Sequence, residues 1–307
     1  MSRIAYINKR FSKLSRAIIA HAEQICADYA AQGFDLTLRQ LYYQFVARGL
    51  LPNKQSEYKR LGSVVNDARM AGLLDWDYIV DRTREMRERS HWDDPADIIE
   101  SAAKNYGINQ WEGQEYRVEV WIEKDALIGV IERVCRDLDV PYFSCRGYTS
   151  QSEMWRAAVR LMKYAKNGGH KPVILHLGDH DPSGIDMTRD IRDRLALFTK
   201  SHGYDAPEVK RIALTMAQIR QYNPPPNPAK LTDSRVFEYI DLYGSDSWEL
   251  DALDPVVMSN LIRQEVEAFL DADLWQVRVD LEEEGRDLLI EASARWEDVS
   301  EMLTEGS

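Results

Sequence analysis

The spacing of apolar side chains predicts three helices near the start of the chain. They are expected over residues 9–33, from Thr37 through the run LRQLYYQFVARGL, and over residues 56–72. Thr37 can cap the second helix. A short extended stretch follows around residues 78–80, and two helices joined by a turn and followed by a short strand pair are the outline of a winged helix-turn-helix.

From about residue 115 the pattern changes to short apolar strands that alternate with helical segments. Strands are expected at residues 117–123, 141–145, 172–178 and 211–215, and helices at residues 125–138, 151–165 and 183–198. This alternation predicts a parallel, Rossmann-like sheet with helices on both faces. The final 60 residues have a helical and acidic pattern, as in residues 256–270.

The pattern divides the chain into three regions. We expect a DNA-binding winged-helix region at 1–110, an α/β region at 111–245 and an acidic, mostly helical region at 246–307. The fold class is therefore α/β plus helical.

Composition narrows the class of protein. The chain has 307 residues, of which 44% are hydrophobic and 29% charged, and it has no apolar run of the roughly 18 to 20 residues that a membrane span needs. Its N-terminus does not resemble a secretory signal, so we expect a cytoplasmic protein without a membrane partner. Cys26, Cys135 and Cys145 lack the spacing of a zinc site or a disulfide framework and are expected to be buried.

Charge is distributed unevenly along the chain. The net charge is -12, yet residues 1–90 hold 15 Lys and Arg against 10 Asp and Glu, while residues 245–307 hold 4 against 18. A basic N-terminal segment is compatible with DNA binding. Uneven surface charge without functional consequence fits the same counts equally well.

Three carboxylates follow strands of the predicted sheet. Glu123 ends one strand, and Asp179 and Asp181 follow another. The carboxyl ends of parallel strands meet at one edge, and crowded carboxylates with phosphate oxygens suit Mg²⁺. Alternatively, the two aspartates only cap the next helix. His180 is expected to be a bystander, and His176 a core or surface histidine.

Tyr43 and Arg39 share one face of the second predicted helix. Residues 38, 41, 42 and 45 form a buried stripe that includes Tyr42, whereas Tyr43 is turned by about 100° and lies one helical turn from Arg39. An exposed tyrosine beside an arginine can attack a phosphodiester. A passive surface aromatic is the simpler alternative.

The order of four motifs resembles the topoisomerase VI A subunit and its relative, the meiotic double-strand-break transesterase. The similarity covers roughly residues 35–250, with a winged helix and a Toprim domain. The motifs are Arg39-Gln40-Leu41-Tyr42-Tyr43, Glu123-Lys124-Asp125-Ala126, Arg146-Gly147-Tyr148 and Asp179-His180-Asp181-Pro182-Ser183-Gly184.

This resemblance implies a mechanism. Tyr43 would attack a phosphate of double-stranded DNA to give a 5′-phosphotyrosyl link, with Arg39 assisting. Glu123, Asp179 and Asp181 would hold Mg²⁺, with Mn²⁺ as a possible substitute. In this family the tyrosine of one protomer works with the metal site of the other, which implies a homodimer associated with the nucleoid.

Departures from the family keep two other functions open. The sequence has no ATP-binding motif, so strand passage would need a separate ATPase subunit. Some relatives with this architecture, including those of phages and plasmid defence, cut DNA by metal-dependent hydrolysis, which makes a Toprim endonuclease the first alternative. The second is a non-catalytic DNA-binding component, with Lys59, Arg60 and Arg69 as phosphate contacts.

Overall fold

A computed structural model describes residues 3–80 and 89–305 of the chain. The N-terminal helices are α1 (Lys13–Ala30), α2 (Leu38–Ala47), α3 (Gln55–Met70) and α4 (Pro95–Asn105). The middle elements are β1 (Tyr116–Ile122), α5 (Ile128–Asp137), β2 (Tyr142–Ser144), α6 (Gln151–Gly168), β3 (Lys171–Leu177), α7 (Pro182–Lys200) and β4 (Glu208–Ala213). The remaining elements are α8 (Met216–Tyr222), β5 (Asn227–Pro228), α9 (Val236–Tyr243), β6 (Asp246–Ser247), α10 (Pro255–Glu267), α11 (Ala272–Ala294) and α12 (Trp296–Glu305).

The central sheet is parallel and has the strand order β2-β1-β3-β4. Successive residues of β1 face opposite sides: Val120 packs in a core with α5 and α10, and Trp121 packs in a second core with α6 and α7. Because both faces are covered, the central residues of β1 and β3 are mostly apolar, with Glu119 and His176 as buried exceptions. The expected fold class, α/β plus helical, is confirmed.

The N-terminal region is built from α1, α2 and α3 around a separate core. Ile25, Leu41 and Leu61, one from each helix, are almost completely buried in it. Helix α1 begins at Lys13, later than expected, because the side chain of Ser12 accepts a hydrogen bond from the backbone N–H of Ser15 and caps the helix.

The strand pair expected near residues 78–80 is not formed in the described part of this region. Extended pairing there consists of two isolated bridges, between Leu36 and Ile79 and between Ala5 and Ala71. Residues 81–88 lie outside the described residues. The helix-turn-helix outline is therefore present, and the winged-helix assignment stays a prediction.

The C-terminal segment joins both regions through packing. Helix α10 packs against α5 and β4, so the start of the acidic region contributes to the α/β core. Helix α11 packs against α4. The start of residues 246–307 therefore packs against the predicted α/β region, and the division into three regions stays a prediction.

Two expectations from composition can be compared with the described residues. No helix among them is long and apolar enough to cross a membrane. The three cysteines are free and buried, as expected for small apolar side chains.

Candidate active site

Helix α2 is fixed at its start by a reciprocal cap. The side chain of Thr37 accepts a hydrogen bond from the backbone of Gln40, whose own side chain accepts one from the backbone of Thr37. Tyr42 is buried, and its hydroxyl accepts a hydrogen bond from the Lys54 backbone at 2.7 Å. Tyr42 is thus a structural residue, as its place in the apolar stripe predicted.

Tyr43 is buried, and the expectation of an exposed tyrosine was wrong. Only 4% of the residue is exposed. The short turn Leu250–Ala252 packs on α2, and Asn53 beside α2 bonds to the Asn227 side chain at 2.9 Å. The face of α2 that the sequence pattern left for solvent is therefore covered by segments from the far end of the chain. Tyr43 nevertheless lines a cavity of about 310 Å³.

Arg39 lies beside Tyr43 as predicted, and it has partners that were not expected. Its guanidinium carbon is 6.0 Å from the centre of the Tyr43 ring. It forms ion pairs with Glu249 and, at 2.7 Å, with Asp251. Burial alone would lower the pKa of Arg39, but these two carboxylates raise it, so the side chain stays charged.

Lys124 extends this charge network to the edge of the sheet. Its Nζ atom is 2.9 Å from Asp179 Oδ1, 2.9 Å from Glu249 Oε2 and 3.5 Å from Asp251 Oδ1. Glu249 and Asp251 thus contact both Arg39 on α2 and Lys124 after β1. Helix α2, which carries Tyr43, and the sheet edge that carries Asp179 are therefore connected within one chain.

Of the three predicted metal ligands, Glu123 and Asp179 are in contact, whereas the Asp181 side chain bonds to the start of its own helix. Glu123 Oε2 accepts a hydrogen bond from the backbone of Asp179 at 2.8 Å, and Asp181 Oδ1 accepts one from Gly184 at 2.6 Å. The latter contact caps α7, so the capping interpretation of Asp181 is confirmed. Burial and the charge of Asp179 raise the pKa of Glu123 to about 7.

The chemistry of these carboxylates suits Mg²⁺, which prefers oxygen ligands. Asp179 Oδ1 is held by the Leu250 backbone and by Lys124, whereas its second oxygen accepts no hydrogen bond from the described residues. The same holds for the second oxygens of Glu123 and Asp181. In the described parts of the chain, however, no group of three His, Cys, Asp or Glu side chains is arranged to hold a metal ion. Magnesium stays a prediction.

Arg211 holds the loop of residues 178–184, which carries Asp179 and Asp181. Its guanidinium donates to the backbone oxygens of Gly178 at 2.8 Å, Asp179 at 2.6 Å and Gly184 at 2.9 Å. Burial lowers the pKa of Arg211 to about 10, even though Glu123 and the loop aspartates favour its charged form. The side chain remains a cation at neutral pH and fixes the loop conformation.

The two histidines near this loop have structural contacts. His180 Nδ1 is 2.8 Å from the Tyr239 hydroxyl, and its backbone pairs with Trp248. His176 is fully buried, its Nδ1 is 2.9 Å from Thr188 Oγ1, and burial lowers its pKa to about 3. Neither arrangement involves the predicted metal ligands.

The three residues predicted to contact phosphate differ in how far their side chains are free to do so. Lys59 is exposed and Arg60 forms an ion pair with Glu57. Arg69 donates hydrogen bonds to the backbone oxygens of Trp76, at 2.8 Å, and Ile79. A guanidinium that is held by these two backbone oxygens has less capacity to bind phosphate. DNA contact through Lys59 and Arg60 stays a prediction.

Sequence reasoning missed four residues of this site, namely Lys124, Arg211, Glu249 and Asp251. In the sequence, Lys124 stands out only as part of the motif Glu123-Lys124-Asp125-Ala126. Glu249 and Asp251 belong to the acidic C-terminal residues. Their positions on alternate residues after Trp248 are only a weak signal of a functional site. Their proximity to Arg39 could not be read from the pattern, because about 210 positions separate them in the chain.

Neither a family model nor a curated protein is similar to the sequence at a significant level.

Proposed function

We propose that this protein cleaves DNA by transesterification in the manner of the topoisomerase VI A subunit, with Tyr43 as the nucleophile and Mg²⁺ as the cofactor. The main support is the position of Arg39, which contacts the Tyr43 ring and shares Glu249 with Lys124. A tyrosine, a phosphate-binding cation and an acidic strand edge thereby belong to one connected site.

The reaction exchanges one phosphoester for another. The Tyr43 oxygen attacks the phosphorus, the bond from phosphorus to the 3′ oxygen breaks, and the proton lost by the phenol is balanced by the proton gained by the new 3′-hydroxyl. The product has a 5′-phosphotyrosyl link, so no water is consumed. Reversal of the same step reseals the strand.

The surroundings of Tyr43 explain why Arg39 is needed. Burial and the charge of Glu249 raise the pKa of Tyr43, whereas Arg39 and Asn227 act in the opposite direction. The neutral phenol is thus the resting form. Arg39 would stabilise both the developing phenolate and the negative charge on the attacked phosphate.

The metal would be held by Glu123, Asp179 and Asp181. When bound, Mg²⁺ would orient the scissile phosphate and stabilise the charge that forms on it, and Mn²⁺ could replace it. Burial, and then the charge of Asp179, raise the pKa of Glu123, so its charged form is disfavoured and a bound cation would stabilise it.

Double-stranded DNA and a second copy of the chain are the proposed partners. The resemblance implies a dimer in which the tyrosine of one protomer serves the metal site of the other. The ion pairs of Arg39 and Lys124, however, connect the helix of Tyr43 to Asp179 within one chain, so we propose that each protomer carries its own complete site. Strand passage would require a separate ATPase subunit, since the chain has no ATP-binding motif. Without that subunit, we expect cleavage and resealing only.

Supercoiled plasmid distinguishes the proposed function from its alternatives. The plasmid is incubated with protein and Mg²⁺ or Mn²⁺, denatured, and analysed with and without protease. We expect protein-linked breaks with the wild type and with Tyr222→Phe, an exposed control tyrosine, and none with Tyr43→Phe or Asp179→Ala.

Two other outcomes would contradict the proposal. Free broken ends with wild type and Tyr43→Phe, but not with Asp179→Ala, would indicate a hydrolytic nuclease. Intact plasmid with every variant, together with salt-sensitive DNA binding, would indicate a non-catalytic DNA-binding component.

A further inference from the structure

The cavity beside Tyr43 has the chemistry of a nucleotide pocket. It is formed by α2, the start of α3 and residues 227–230, and its volume of about 310 Å³ is at the lower end of the range of roughly 300 to 1,000 Å³ for small-molecule sites. We propose that it takes a single unstacked nucleotide of the substrate strand. This inference rests on the proposed function and specifies its substrate class.

The charge around the cavity favours an anion. Arg39, Lys54 and Lys230 line it, against the single carboxylate of Glu249. That carboxylate is already paired with Arg39 and Lys124. Within the described chain, neither Lys54 nor Lys230 forms an ion pair, so both ammonium groups are available to a phosphate.

One wall of the cavity suits a nucleobase. Tyr58 lines it, and its ring packs edge-to-face on that of Tyr42, with centroids 5.4 Å apart. Tyr42 is itself held by the backbone of Lys54. The Tyr58 ring is therefore positioned by a rigid neighbour, and aromatic rings stack on bases without strong sequence preference.

The burial of Tyr43 argues for an unstacked nucleotide. Because only 4% of the residue is exposed and Tyr43 lines the cavity, we infer that the strand enters the cavity to bring a phosphate to its hydroxyl. A nucleotide that leaves the stack loses stacking and pairing energy, and this loss is smallest where the base is unpaired. The predicted substrate is DNA with an unpaired or easily opened position at the cleavage site.

Binding of 2-aminopurine deoxynucleoside 5′-monophosphate, followed by its fluorescence, tests the pocket without requiring cleavage. We expect saturable binding that weakens at least tenfold in Tyr58→Leu, is retained in Tyr58→Phe, and weakens several-fold in Lys54→Ala. Lys166→Ala, which removes an exposed lysine on α6, should bind as the wild type does. Lack of saturable binding, or equal weakening by Lys54→Ala and Lys166→Ala, would overturn the proposal.

Cleavage of two oligonucleotide duplexes separates this inference from the proposed function. One duplex is fully paired and the other has a short unpaired bubble of the same sequence. We expect covalent adduct to form at least tenfold faster on the bubble. Equal rates on both, with no mononucleotide bound, would reject the pocket and leave the function intact. Mononucleotide binding without adduct on either duplex would reject the function and leave the pocket intact.

Discussion

Glu123 carries an unfavourable charge in the folded chain. Burial and the neighbouring Asp179 raise its pKa to about 7, although Lys124 and the Asp179 backbone act against this shift. The folded protein therefore binds this proton more tightly than the unfolded chain does. Between the ordinary pKa near 4.5 and about 7, rising pH removes the proton and lowers the free energy of unfolding.

Glu123→Gln should reduce this pH dependence. We expect the variant and the wild type to melt at similar temperatures at pH 5, and the variant to be more stable at pH 8, by on the order of 1 kcal/mol. Thermal unfolding monitored by circular dichroism at both pH values measures the difference. An equal difference at pH 5 and pH 8 would show that the carboxyl group is not the cause.

Added Mg²⁺ should stabilise the wild type by neutralising the same carboxylates. At pH 8 we expect an increase in the melting temperature of the wild type that grows with Mg²⁺ concentration and is much smaller in Glu123→Gln. The same titration with Asp280→Asn, which changes an exposed carboxylate on α11, serves as the control. Identical Mg²⁺ responses in all three proteins would argue against a metal site at Glu123.

The turn Leu250–Ala252 is the element that assembles the site. It covers the face of α2 that carries Tyr43, and its backbone at Leu250 donates to Asp179 Oδ1 at 2.8 Å. Asp251 within it is almost completely buried and contacts both Arg39 and Lys124. One short segment thereby positions groups from two regions.

Asp251→Asn should weaken the contact between this turn and α2 and thereby lower the free energy of unfolding. Removal of one member of a fully buried ion pair costs roughly 3 to 5 kcal/mol, but Arg39 is partly exposed, so we expect a loss of about 2 kcal/mol. Urea unfolding gives the value. Asp298→Asn, at an exposed pair on α12, should change stability by less than about 0.5 kcal/mol. Equal effects of the two substitutions would mean that the turn does not hold α2.

Local sequence patterns predicted the helices and strands better than they predicted which of these elements pack against one another. The alternation of strands and helices gave the parallel sheet, and Thr37 marked the start of α2, because both signals lie within a few residues. The coverage of Tyr43 was missed because helical periodicity distinguishes the faces of α2 but does not show what packs on the more polar one. Asp179 and Glu123 were correctly expected at one sheet edge, since parallel strands bring their carboxyl ends together.

On the scale of the whole molecule, the basic and acidic ends of the chain meet at the site. Arg39 from the basic N-terminal segment pairs with Glu249 and Asp251 from the acidic C-terminal segment, and the Tyr29 hydroxyl donates to Asp254. The net charge of -12 is therefore a poor guide to this surface. Locally, Glu249 and Asp251 are paired with Arg39 and Lys124, and Lys54 and Lys230 line the cavity.

A mixture of two inactive variants tests whether a site needs two protomers. Tyr43→Phe and Asp179→Ala are combined under conditions that allow subunit exchange. Because Arg39 and Lys124 connect the tyrosine helix to Asp179 within one chain, we expect no cleavage by the mixture. Nicked, protein-linked plasmid in the mixture would instead show that the tyrosine of one protomer works with the acidic edge of its partner.

In the proposed reaction, Tyr43 becomes covalently attached to DNA. The most direct measurement uses a 5′-labelled and a 3′-labelled bubble duplex with the wild type and Mg²⁺, followed by nuclease and protease digestion and mass spectrometry of the peptides. We predict that the label downstream of the break stays with the protein and that the modified peptide carries a nucleotide 5′-phosphate on Tyr43. Cleaved DNA without any modified peptide, or modification at another residue, would contradict the account.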